Sequence, residues 1–141
     1  MSGYSGKPLA TKLGFKPGMT VLLINAPASY KSWLGEIAER LTYVTHPMPG
    51  LLAGHLFFTD ADALTHTLVN CREQWAPAGF LWVSWPKRSA GVPTDITEDR
   101  IRGIALPMGW VDIKVCAVDP TWSALKLVIR KSQRNKPPPT Q

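Results

Sequence analysis

The 141-residue chain is 45% apolar and 18% charged, which excludes a disordered protein and suits one globular domain with a substantial core. Its formal charge of +6 invites a nucleic-acid partner, but much of that charge is local. Arg130, Lys131, Arg134 and Lys136 lie in a tail without acidic residues, whereas residues 1 to 129 hold 12 Lys and Arg against 10 Asp and Glu. A nearly balanced body with a short basic tail argues against specific nucleic-acid binding, because four cations give only modest, salt-sensitive attraction.

The opening residues Met1 to Lys7 have no apolar core and do not read as a signal peptide. Pro8 to Leu13 predicts a short helix with proline in its first turn, stopped by Gly14. After the turn Lys16-Pro17-Gly18-Met19, the apolar, β-branched run Thr20 to Asn25 predicts a strand buried on both faces. A helix over Tyr30 to Leu41 follows, with Trp33, Leu34, Ile37 and Leu41 on one face. Leu41 to Thr45 reads as a short edge strand closed by His46-Pro47, and Gly54 to Asp60 as a third strand. Thr59 or Asp60 then caps a helix running to about Trp75, with Leu64, Leu68 and Cys71 inward.

The stretch Gly79 to Lys87 predicts the central strand, ended by Pro86 because proline cannot donate to a sheet ladder. Asp95 to Glu98 has the form of a capping box, opening a helix with Ile101, Ile104 and Ala105 on one face. Trp110 to Val118 and Ala124 to Ile129 are strands joined by five residues, too few for a parallel crossover, so they pair antiparallel. Residues 131 to 141 have little to bury and read as a disordered, basic, proline-rich tail. Residues 1 to 130 therefore predict a single α/β domain: a Rossmann-like three-layer sandwich. Its mostly parallel sheet has five or six strands and ends in an antiparallel hairpin.

Several motifs resemble one small bacterial family of unknown function. They are Ser5 to Leu9, Leu13 to Gly18, Trp85-Pro86-Lys87, Thr94-Asp95, Lys114 to Asp119 and Trp122-Ser123. That family is similar to methyltransferase-like Rossmann domains and carries no assigned activity. The resemblance implies the fold and transfers no catalytic residue.

The chemistry reads mostly as exclusions. A nucleotide or methyl-donor site needs a glycine-rich turn after the first strand and an acidic residue after the second. Those positions hold Asn25-Ala26-Pro27-Ala28-Ser29 and His46-Pro47, so no cofactor is expected. There is no phosphate-binding loop, and His46, His55 and His66 share no metal-ligand spacing with Cys71 or Cys116. The two cysteines read as reduced thiols of a cytoplasmic protein, with no run long enough to span a membrane. Ser84 lacks the elbow that exposes a nucleophile and reads as a small hydroxyl bonded to backbone. Lys114 reads as the exposed position of an alternating strand, and Thr94-Asp95 as a helix cap.

What remains is a convergence at the carboxyl ends of the strands: Asn25, Asp60, Trp85, Lys87 and Asp119, with Trp122 and Ser123 on the hairpin. In one reading this edge is the recognition surface of a binding or interaction module. In the other, Lys87 and Asp119 hold an anionic metabolite between the flat walls of Trp85 and Trp122, as in a small enzyme or sensor. The same residues also read structurally, with Lys87 a solvated cation, Asp119-Pro120 a turn former and both tryptophans core. The expected partner is accordingly a small molecule or a protein, with the chain a monomer or a dimer.

Overall fold

The computed structural model describes residues 8 to 134. Six strands form one sheet: β1 (Thr20–Ile24), β2 (Thr42–Val44), β3 (Leu51–Phe57), β4 (Trp75–Pro86), β5 (Trp110–Ala117) and β6 (Trp122–Ile129). Their spatial order is β2-β1-β3-β4-β6-β5. The pairings among β2, β1, β3 and β4 are parallel, and β6 is antiparallel to both β4 and β5. The helices are α1 (Leu9–Leu13), α2 (Tyr30–Leu34), α3 (Ala61–Gln74) and α4 (Glu98–Ala105).

Because successive strand residues point to opposite faces, the sheet feeds two cores. On one face Leu22, Leu56, Leu81, Val83 and Leu125 pack with Leu64, Leu68 and Cys71 of α3 and Ile101 and Ala105 of α4. On the other, Val21, Ala53, Phe57, Trp82 and Ala124 pack with Leu9, Ala10 and Leu13 of α1 and Tyr30 and Leu34 of α2. The result is a helix–sheet–helix sandwich. No helix among the described residues is long and apolar enough to cross a membrane.

Several expected boundaries shift, each for a local reason. The helix predicted to run to Leu41 stops at Leu34, because Gly35 takes φ 76° and ψ −148°; the chain continues as a 3-10 segment, Gly35–Arg40. The third strand begins at Leu51 and ends at Phe57, three residues earlier at both ends than Gly54 to Asp60. β4 starts at Trp75, before the apolar run, because Leu51 and Trp75 already pair. Thr97, not Asp95, caps α4: its side chain accepts from Arg100 N–H. Lys131–Gln133 forms a 3-10 turn, with Arg134 Nε donating to Ile129 O at 2.9 Å, where a disordered tail was expected to begin. The rest of that tail, 135 to 141, lies outside the described residues.

Gly54 shows how tightly β3 is wedged. A Cβ there would lie 2.8 Å from both Leu81 Cδ1 and Trp75 Cη2, and 3.2 Å from Leu22 Cβ. Gly54→Ala is expected to lower stability by about 1–3 kcal/mol, the usual range for overpacking. Urea unfolding would measure it, and an unchanged midpoint would show that Leu81 and Trp75 yield freely.

Candidate functional site

In open α/β sheets, ligands enter outside the carboxyl ends of the strands, where the strand order reverses. Here β2 lies on one side of β1 and β3 on the other, so the switch point falls between β1 and β3. A crevice of about 360 Å³ opens at that point, lined by Asn25, Phe57, Thr59, Asp60, Ala63 and Trp122. A larger hollow of about 550 Å³ lies at the opposite, amino end of the strands, between turn residues Lys16 to Thr20 and Gly50 to Leu52. It has Lys16 but no converging set of polar side chains, so the smaller crevice is the better candidate.

Each wall of the crevice has a local cause. Asn25 is the only non-glycine residue with positive φ (60°) among the described residues, a conformation asparagine tolerates better than most. It turns the chain sharply out of β1, and Tyr30 N–H then closes on Pro27 O at 2.9 Å. Asp60 caps α3: its Oδ2 accepts from Ala63 N–H at 2.9 Å. The loop before α4 straps this corner from outside. Thr94 Oγ1 donates to Thr59 O at 2.7 Å, and Asp95 Oδ1 accepts from Ala61 N–H at 2.8 Å. Thr94-Asp95 thus braces the start of α3 instead of starting α4.

Trp122 is positioned by the hairpin turn. Asp119 Oδ1 accepts from the N–H groups of Thr121 (2.9 Å) and Trp122 (2.7 Å). Lys87 N–H donates to Thr121 O at 2.7 Å from the end of β4. Trp122 then meets Phe57 edge to face, with ring centres 5.1 Å apart. Asp119 therefore shapes the turn that aims Trp122, and its Oδ1 is already engaged by backbone.

The expected convergence is split by the sheet. Asn25, Asp60 and Trp122 share the crevice. Trp85 packs in the core on the α3–α4 face. Ser123 pairs in register with Trp85 and so shares that face, whereas Trp122 packs with the α1–α2 core. Trp85 and Trp122 cannot be two walls of one cleft.

A buried chain of hydrogen bonds lies behind the crevice. The Tyr30 hydroxyl meets His55 Nδ1 at 2.7 Å, and His55 Nε2 meets Ser84 Oγ at 2.6 Å. All three residues are buried, and the His55 ring stacks on Phe57 at 4.3 Å. Burial pulls the His55 imidazole down to about 3 and pushes the Tyr30 phenol well above its ordinary value, so both are neutral near pH 7. A neutral imidazole donates from one nitrogen and accepts at the other, so the protons along the chain all point one way. Ser84 therefore bonds to histidine, not to backbone as its sequence context suggests. His55 sits mid-strand, sharing a face with Ala53 and Phe57. A polar residue at an inward position of an apolar strand was the available signal that a partner existed, but not which one. The burial of all three argues for a structural pin joining α2, β3 and β4, rather than for a nucleophile.

No protein-family model matches the chain, and no curated protein matches it. Solved structures do. A SAM-dependent methyltransferase from Aquifex aeolicus is similar at TM-score 0.62 and 16% identity, over 86% of this chain and 87% of that one. A protein from Sulfolobus solfataricus described as a type 11 methyltransferase gives 0.61 and 15%, over 89% and 91%. The magnesium protoporphyrin IX methyltransferase from Synechocystis PCC 6803, solved with bound SAM, gives 0.58 and 12%, over 87% and 74%.

The chain has a methyltransferase-like Rossmann fold. At such identities the likeness is one of fold, and folds of this class host many functions. A methyl donor would lie against the turn after β1 in this methyltransferase-like fold, where the backbone must approach the ligand closely. The turn here carries Cβ atoms on Asn25 and Ala26, and Pro27 has no N–H to offer. β2 ends at Val44 and leads into Thr45, His46 and Pro47, with no carboxylate for ribose hydroxyls. These residues do not fit the donor's cradle. Among the described residues no group of three or more His, Cys, Asp or Glu is placed to hold a metal ion.

Proposed function

We propose that this chain is a degenerate methyltransferase-like domain that works as a binding module, with the switch-point crevice as its recognition surface. The observation that carries this reading is the meeting of Asn25, Asp60 and Trp122 at a 360 Å³ opening. Trp122 offers a flat aromatic wall, Asn25 an amide, and Asp60 the one ionisable side chain among the lining residues. That set suits a flat ligand carrying hydrogen-bond donors or a positive charge. It suits an anionic metabolite poorly, because a carboxylate would face the anion.

The test is a thermal-shift and calorimetric screen with nucleosides, aromatic amines and S-adenosylmethionine. A ligand at about a hundred times its dissociation constant stabilises by roughly 2.7 kcal/mol. Trp122→Ala is expected to weaken the hit by about tenfold or more while the domain stays folded, as stacking worth ~1.5 kcal/mol is lost. Asp60→Asn keeps a good N-cap for α3 and removes only the charge. A hit that ignores both substitutions would sink the crevice as the site. Binding of S-adenosylmethionine that is lost in Trp122→Ala would overturn the argument from the β1–α2 turn.

A further inference from the structure

The far edge of the sheet keeps its charges apart. On the α4 face, Arg102 gathers the acidic residues: it bonds Asp112 of β5 at 2.8 Å, Asp99 at 2.9 Å, and also Glu98. On the opposite face of this edge two lysines stand side by side. Lys114 of β5 and Lys126 of β6 are direct cross-strand partners. Like charges placed directly opposite each other destabilise a strand pair. Lys12 of α1 reaches the same edge, its Nζ donating to Ala117 O at 3.1 Å. Both Lys12 and Lys114 pull electrostatically on the thiol of Cys116, although burial still holds that thiol above its usual value. No ion pair involves Lys12, Lys114 or Lys126 among the described residues.

The two strand lysines sit over aromatic rings. Lys126 Nζ lies 4.7 Å from the Phe80 ring centre and 5.8 Å from that of Trp82, and Lys114 Nζ lies 5.9 Å from Trp82. Phe80 is itself stacked on Phe15, and Trp82 is fully buried, so the aromatic floor is rigid. Burial first, and Lys114 second, hold the Lys126 ammonium below the usual lysine value. The fold thus maintains a like-charge cluster on a fixed platform, with no carboxylate paired to it among the described residues.

We propose that Lys12, Lys114 and Lys126 form an anion-binding site on this sheet face, and that its ligand is a small oligophosphate. Lysine ammoniums act on phosphate as point charges, and a multiply charged phosphate chain can neutralise several of them at once. The site lies on the same sheet face as Trp122 but is built from other residues than the switch-point crevice, and it does not depend on that crevice.

The test is calorimetric titration of the intact chain with inorganic tripolyphosphate and, separately, with adenosine triphosphate. The ionic strength is kept at about 0.1 M, where a Debye length of about 10 Å screens charges elsewhere on the surface. Both anions are expected to bind, and Lys114→Met/Lys126→Met is expected to weaken them by about tenfold or more. Lys114 is exposed, so Lys114→Met alone serves should the double variant fail to fold. Arg130→Ala/Lys131→Ala, which removes basic charge from the C-terminal turn, is expected to leave affinity within about twofold. Two results would overturn the proposal: no tripolyphosphate binding by the wild type, or affinity that falls with the tail charges and not with the sheet lysines. Trp122→Ala removes none of the three lysines, and the lysine variants touch no crevice residue, so failure here and failure of the crevice are separable.

Discussion

His55→Ala is expected to destabilise the protein by about 3–5 kcal/mol. The substitution leaves two buried hydroxyls, Tyr30 Oη and Ser84 Oγ, without the ring that joined them. Each orphaned buried polar group costs about 1–3 kcal/mol. The missing ring also removes the stacking on Phe57 and the edge contact with Tyr30, at 4.3 and 5.2 Å between centres. Ser84→Ala strands only one ring nitrogen and should cost less, about 1–3 kcal/mol.

The pH dependence supplies a second readout. His55 is held near 3 in the folded chain by burial, below the 6.5 of an exposed histidine. Below pH 6.5 the unfolded chain binds a proton that the folded one refuses, so this contribution is complete above 6.5. It is lost as pH falls from there toward 3, at about 1.4 kcal/mol per pH unit. The alanine variant has no such proton to bind. The stability gap between wild type and His55→Ala should therefore narrow as pH drops below 6.5. Urea titrations at several pH values would measure this. A gap that stays constant, or a loss below about 1 kcal/mol, would mean that the Tyr30–His55–Ser84 chain does not pin the fold.

Trp82→Ala is expected to cost about 3–5 kcal/mol, the usual range for a buried tryptophan. Trp82 is fully buried between the sheet and the helices of the α1–α2 face. Its Nε1–H donates to Leu13 O at 2.8 Å, across 69 residues of chain. That bond ties the carboxyl end of α1, a helix of only five residues, to the central strand. So short a helix has almost no stability of its own. Trp82→Phe keeps most of the apolar packing and removes the donor, so it should cost less, about 1–3 kcal/mol. It should also speed hydrogen exchange through Leu9 to Phe15 more than in β3. Uniform acceleration across both would show that the bond to Leu13 is not what docks α1.

The apolar run through Gly79 to Pro86 shows what was legible along the chain. Continuous burial with β-branched and aromatic residues announces a strand covered on both faces, and Pro86 closes it. The same logic locates β1 at Thr20 and the antiparallel pair at the end. The failures at Gly35 and Leu51 are failures of boundary. A glycine at positive φ ends α2 early, and pairing of Leu51 with Trp75 starts β3 earlier than local composition suggests.

The candidate site was half legible for a related reason. Asn25 and Asp60 stand at strand ends, and topology alone brings strand ends of a parallel sheet to one edge. The face a side chain takes is decided by register, and register is set between strands distant in sequence. Ser123 falls opposite Trp85, which sends Trp122 to the other side of the sheet from Trp85 and dissolves the proposed pair of walls. Asp119 was visible as a turn former or a ligand group, and its two backbone bonds decide for the turn. By itself the sequence determined the element types, the parallel core and the closing hairpin, because these follow from local periodicity and connection length. Only tertiary structure joined Tyr30, His55 and Ser84 and set Lys114 against Lys126, because both depend on which strands lie side by side and in which phase.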